Sequence, residues 1–346
     1  MSDYDRAQLP RELSLLQTEF SWYIFEATGR GGRHVAGLVS IHRTGPRPQK
    51  IEPGLELLAG RDLPAPLRDL VPSWLPVISP VRVERDDRPL VAVALYDLDR
   101  GTLIHTEHAI EHAALDLATF SVSAPGFSLA QGDTAAITAS GERFALELAL
   151  EANKPAVVFG DGSPRLVHGK VETCYVQRPR LAVRGRLRLD GETIDELAGD
   201  AAHDRQWMTI GAPNLAWIWP HLRLADGREL HGYVLRDSHS GRELGRAGWV
   251  VERDGRVRAL RTFDVRAIAT IDTRRGAVPT RFAVELDDLH VVLEHAIADP
   301  FLPMLAFGAA LDAGIWESPA RIARASAPIA GHCWVEVFDA STVRLR

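Results

Sequence analysis

Cysteine is nearly missing from this chain. Of 346 residues only Cys174 and Cys333 carry a thiol, too few for a secreted disulfide framework or a cysteine-rich zinc site. Both stand in strand-like runs, where a buried free thiol is the expected state. Positive charge is not in excess either: 40 Lys and Arg against 46 Asp and Glu leave a net charge of -6. No global field therefore draws the chain to phosphate backbones or anionic lipid, and nucleic acid is not an expected partner. No run approaches the roughly 18 apolar residues of a membrane-spanning helix. Residues 1–10 are too polar for a secretory leader, so a cytoplasmic protein with no transmembrane segment is expected. The sequence also lacks a GxSxG elbow, a P-loop, a dinucleotide fingerprint and an HExxH pair. Residues 29–32 read as a turn, not a phosphate cradle.

What is present describes a folded β protein. Hydrophobic residues make up 46% and charged residues 25%, which excludes wholesale disorder. The length exceeds that of one compact domain, so two cores are expected. Most of the sequence alternates at period two, with apolar runs broken by Gly, Asp and Pro. Strands are expected at 22–27, 35–42, 90–98, 144–150, 181–189, 230–235, 247–253, 282–286, 290–295 and 332–338. Helical periodicity is confined to 104–117 and 303–313. The Pro-rich stretches 47–69 and 71–80 read as an ordered loop over one barrel mouth, because Pro cannot donate to a ladder.

A repeat organises the whole. Laid over one another at an offset of 195, the segments beginning at Trp22 and Trp217 match Trp22 with Trp217, Gly32 with Gly227, Arg33 with Arg228, Gly37 with Gly232 and Val39 with Val234. Each reads as an aromatic strand, a Gly-Arg turn and a second strand; Asp226-Gly227 and Gly31-Gly32 are placed to supply the positive backbone angles of tight hairpins. Duplication of one β unit follows, with the junction near 177–179 and barrels over 1–178 and 179–346. The expected fold class is mostly β: two tandem lipocalin-like antiparallel barrels with few short helices, closure removing the sheet edges.

Three groups of residues bear on chemistry. The segment 197–208 gathers His203, Asp204, Arg205 and Trp207. A carboxyl beside an indole can be held protonated by burial and so act as an acid; the plain alternative is that Asp204 caps a turn or pairs with Arg205. Trp217, Trp219 and His221 alternate along one strand and share a face, which either fills a barrel or lines its pocket. Trp22, Trp249, Trp316 and Trp334 carry the same ambiguity. His105, His108 and His112 would share one face of a helix, with Glu107 and Glu111 between them. A metal site is conceivable there, but a solvated helix explains the spacing equally, and no metal is expected.

Six segments in order resemble the superfamily of carotenoid 1,2-hydratase (hydroxyneurosporene synthase) and AttH-like proteins, which includes kievitone hydratase and decalin-forming Diels-Alderases. They are Ser21-Trp22-Tyr23 (an EWWY-like strand), 91–101, 175–185, 199–207 (GxAWxDxEW-like), 217–228 (WxWxxxxLxDGR-like), and Gly314-Ile315-Trp316-Glu317 followed by 331–336. Phe20 and Ser21 replace the usual Glu and Trp, Ala202 replaces the Trp before the central Asp, and His203 replaces an aliphatic residue. The family's substrate therefore does not carry over with its fold. The resemblance implies tandem lipocalin-like barrels and a cofactor-independent lyase or isomerase that hydrates or cyclises a hydrophobic polyene or terpenoid. Asp204 would be the acid, with Trp22, Tyr23, Tyr175, Trp207, Trp217, Trp219, His221, Trp249, Trp316, Glu317, Trp334 and Glu336 lining the pocket. A pericyclase in which His203 and Arg205 polarise a carbonyl, and a hydrophobic-ligand carrier, are the alternatives. Peripheral membrane contact for substrate access and the oligomeric state stay open.

Overall fold

The computed structural model describes residues 17–44, 47–59, 76–86, 88–109, 114–116, 121–131, 134–158, 166–168, 171–209, 215–305 and 311–345. Two large antiparallel sheets, each curled into a half-barrel, carry the chain. At the centre of the first, Gln17–Thr28 lies between its hairpin partner His34–Thr44 and the late strand Glu192–Thr209. Leu90–Asp97 and Thr102–Ala109 extend the sheet on one side. Val171–Leu189, Phe144–Ala152, Thr134–Ser140 and Phe127–Ala130 extend it on the other.

The second sheet repeats this order. Leu215–Leu224 lies between its hairpin partner Glu229–Asp237 and the late strand Gly331–Asp339, followed by Gly314–Ala325, Leu289–His295, Gly276–Leu286 and Phe263–Thr273. The 195-residue repeat survives at the level of individual pairs, since Trp22 opposes Ser40 and Trp217 opposes Leu235. Equivalent strands thus carry the two Trp residues in the same register.

Strand alternation sorts most of the buried apolar side chains into three large cores, beside a small cluster of Val157, Tyr175, Trp249 and Val251. Tyr23, Phe25, Val39 and Ile41 fill the first half-barrel, and Ile218, Leu222, Val234 and Val335 fill the second. The third core draws on both sheets, with Phe20, Ile24, Leu38 and Tyr96 packed with Leu215, Ile315, Trp334 and Phe338. The outer face of each central strand is therefore buried against the other unit.

Four local expectations change. No α-helix occurs among the described residues. Thr102–Ala109 is a strand in the stretch expected to be helical, and Phe301–Pro303 and Leu311–Asp312 are short strands in the other. The Pro-rich excursion is not a loop throughout. Arg47–Ala59 and Pro76–Asp86 pair as a separate ribbon whose ladder shifts register beside Pro48 and Pro53, where an N–H is missing. The expected junction at 178/179 falls inside Val171–Leu189, which absorbs Pro179 as a register shift between Arg178 and Leu181; the change of sheet comes after Thr209. In the second hairpin Gly227 alone takes a positive φ, while Asp226 accepts from the Arg228 N–H at 3.0 Å. Among the described residues no helix is long and apolar enough to cross a membrane.

Candidate functional site

Glu192–Thr209 is buried on both faces over residues 201–205, and its alternation there decides which side chains meet. His203 and Arg205 belong with the first core. His203 stacks on Tyr23 at 4.2 Å and meets the Ser21 hydroxyl at 2.9 Å; Arg205 donates to Glu19 at 2.7 Å. Asp204 takes the opposite face, toward the second sheet, and is 3% exposed. Its cross-strand neighbours are Trp22 and Gln177. The Gln177 amide donates to Asp204 Oδ1 at 2.7 Å, and the Tyr175 hydroxyl donates to the same carboxyl. The pairing of Asp204 with Arg205 that would hold it ionised is absent.

The second sheet meets this face with Leu215–Leu224, on which Trp217, Trp219, His221 and Arg223 share a side. Across the late strand they oppose Phe338, Glu336, Trp334 and His332 in turn. The Trp217 indole stacks on Phe338 at 4.3 Å and donates to Glu336 Oε1. The Trp334 indole donates to Glu317 at 2.8 Å, and Glu317 pairs with Glu336 across the sheet. A run of rings continues outward from Trp219, which lies 5.4 Å from His221 and 6.4 Å from His231; His231 in turn lies 6.1 Å from Tyr175 and 5.8 Å from Trp249.

Three buried carboxyls, Asp204, Glu317 and Glu336, therefore occupy one aromatic layer. Burial lifts Asp204 from the usual aspartate range to about 7, opposed by the Gln177 and Tyr175 hydrogen bonds and by the charge of Arg223. Burial raises Glu336 too, the Trp217 hydrogen bond opposing and the charge on Asp204 adding to the rise. Glu317 is raised as well, through burial and then the charges of Glu336 and Asp204, the Trp334 hydrogen bond opposing. Like charges this close cannot all ionise, so the cluster holds protons near neutral pH. His221 is kept neutral by burial and by the neighbouring His231 and Arg223.

Of the residues expected at the site, Asp204, Trp22, Tyr175, Trp217, Trp219, His221, Trp249, Glu317, Trp334 and Glu336 lie in or along this layer. Tyr23, His203 and Arg205 lie in the first core, and Trp316 turns into the second, 5.3 Å from Phe301. The Trp207 side chain is outside the described residues. Gln177, Arg223 and His231 are additions. Arg223 was readable as the next member of the alternation after Trp217, Trp219 and His221; Gln177 and His231 depend on register, which sequence alone does not provide.

Neither of the two histidine groups builds on the other. His105 stands on a strand, so the helical spacing behind the His105, His108 and His112 cluster is gone; the His108 side chain and His112 lie outside the described residues. Among the described residues one other set, Glu26, His34 and His332, brings three ligand-type atoms within 4.8 Å of one another. Its closest contact, His34 Nε2 to Glu26 Oε1 at 2.8 Å, is that of an ion pair. The same bond is the main reason the His34 pKa is raised.

A family model described as AttH-like matches residues 80–338. A search of curated proteins finds no match. Among solved structures, a protein of Nitrosomonas europaea assigned as AttH superposes with a TM-score of 0.70 at 19% identity, over 93% of this chain and 92% of that one. Kievitone hydratase from Nectria haematococca gives 0.61 at 15% identity, over 92% and 88%. CghA, solved with Sch210972, gives 0.53 at 12% identity, over 93% and 88%. These likenesses share the tandem fold, and with the family match covering most of its length, the chain belongs to the AttH-like family.

Proposed function

We propose that this protein is a cofactor-independent hydratase or cyclase acting on an alkene of a hydrophobic polyene or terpenoid, with Asp204 as the proton donor. One observation carries the reading: Asp204 is a fully buried carboxyl, unpaired with any cation among the described residues, held near pH 7 in an aromatic layer. Protonating an alkene needs an acid that keeps its proton near neutrality and is shielded from competing water. In the step proposed, the Asp204 O–H bond breaks as a C–H bond forms at one alkene carbon, and the neighbouring carbon becomes cationic. The faces of Trp22, Trp217 and Trp219 would stabilise that cation by about 2 kcal/mol each in a dry site. Water adds to it and its released proton passes back to the Asp204 carboxylate; in ring closure a second double bond attacks the cation instead, and the new cation loses a proton from an adjacent carbon to the same carboxylate. Kievitone hydratase among the structural neighbours fits the first outcome.

The pericyclase reading that assigned carbonyl polarisation to His203 and Arg205 gains nothing from their placement in the first core. The test is incubation of the protein with a panel of linear polyenes, terpenoids and prenylated phenols in oxygen-18 water, followed by mass spectrometry. Gain of one labelled water, or an isomer of unchanged mass, is expected with the wild type and lost in Asp204→Asn. Turnover that survives this substitution would rule out acid catalysis by Asp204. Tight binding without product would make the protein a carrier.

A further inference from the structure

We propose that Arg223, with His221, is a binding site for a carboxylate on the substrate, so that the molecule this protein takes is an unsaturated acid. Arg223 is 1% exposed, and its Nε, Nη1 and Nη2 are all buried without a hydrogen-bond partner among the described residues. A buried guanidinium in that condition is strongly unfavourable unless something answers it.

The acidic groups around it are already engaged. Glu229, opposite Arg223 on the hairpin partner, takes Lys154 at 2.5 Å and Arg180 at 2.6 Å. Glu26 takes His34 at 2.8 Å, and Asp200 stands 3.9 Å from both Arg180 and His332. On the other side, burial raises Asp204, Glu317 and Glu336, so these carboxyls carry only part of their charge at neutrality, and none hydrogen-bonds Arg223 among the described residues. The fields of Glu26 and Asp200 do reach Arg223, which is the competing, purely structural account of its position.

The chemistry of the pair favours a ligand. A guanidinium presents a planar fork of N–H groups that matches the two oxygens of a carboxylate. His221 lies two residues along on the same face, and both its ring nitrogens are likewise buried without a partner among the described residues. Kept neutral, it donates from one nitrogen and accepts at the other. Arg223 also lies within the field of Asp204, whose pKa it lowers. A bound carboxylate would cancel that charge, so binding of the acid would hold the Asp204 proton to higher pH.

This inference rests on the same site as the proposed function, but its test reads binding rather than turnover. Quenching of tryptophan fluorescence in the full chain is titrated with three probes of one skeleton: all-trans-retinoate, its methyl ester and all-trans-retinol. The acid is expected to bind at least about tenfold tighter than the ester or alcohol. Arg223→Gln should erase that preference, and Arg223→Lys, which keeps the charge but not the fork, should retain only part of it. Equal binding of acid and ester by the wild type overturns the proposal even if neither variant folds, as does failure of all three probes to bind or a preference unchanged in Arg223→Gln. A protein that prefers the acid yet makes no product defeats the hydratase reading alone; one that hydrates acid and ester alkenes equally well defeats this inference alone.

Discussion

At Asp204 the decisive fact is a single step of strand alternation. It separates a carboxyl facing the aromatic layer from two neighbours, His203 and Arg205, that face the first core. Because folding raises its pKa from the ordinary aspartate value to about 7, the native state holds a proton that the unfolded chain releases. Its stability contribution is therefore fully present below about pH 4 and is lost as pH rises toward 7 and past it, with a limiting slope of about 1.4 kcal/mol per pH unit. Asp204→Asn should flatten this part of the stability-pH curve and raise stability above pH 7, as followed by urea unfolding from pH 4 to 9. An unchanged slope would show that Asp204 is ionised in the native state. The residue was legible in the sequence as an acid candidate. Its partners were not, because a strand buried on both faces shows no apolar-polar alternation from which to tell one face from the other.

The repeated hairpins show the same division between what composition reveals and what packing adds. Gly32 and Gly227 hold φ values of 81° and 90°, so the turn glycines of the repeat are there for the conformation that their sequence position suggested. Gly37 and Gly232 are different: they sit in extended strands beneath aromatic rings. A Cβ on Gly37 would lie 2.4 Å from the Phe25 ring, and one on Gly232 would lie 2.7 Å from the Phe263 ring and 2.4 Å from a backbone oxygen. Each Gly→Ala change should destabilise the protein by roughly 1–3 kcal/mol through overpacking. Gly232→Ala should cost more, because backbone yields less than a ring can. Thermal or denaturant melts of the two variants check the order; a neutral Gly232→Ala would mean that the strand is not held this close. The match of these glycines was visible in the repeat; the Phe25 ring comes from the residue directly across the hairpin from Gly37, whereas the Phe263 ring comes from a strand that only the curl of the second sheet brings over Gly232.

Across the whole molecule, duplication explains why the site lies where it does. Each half-barrel fills its own interior, so the faces left over meet each other, and Tyr96 of the first sheet donates across the contact to the Glu317 carbonyl at 2.7 Å. Tandem barrels were legible from period and repeat. That the carboxyls would gather between the sheets was not, because Asp204, Glu317 and Glu336 come from three different strands whose meeting depends on register and on how the two sheets pack. The arrangement has a measurable consequence. The charge on Asp204, carried by the first sheet, is one of the causes that raise Glu336 on the second. Asp204→Asn removes that charge while keeping the side chain's shape, so Glu336 should titrate at lower pH in the variant than in the wild type. Glu336→Gln measured in parallel identifies the Glu336 carboxylic-acid band by infrared difference spectroscopy, and the band's midpoint is then followed with and without Asp204. The expected sign is a downward shift, since removing a like charge favours the ionised form. A midpoint that does not move would mean that the two sheets hold their carboxyls too far apart for one to feel the other's charge.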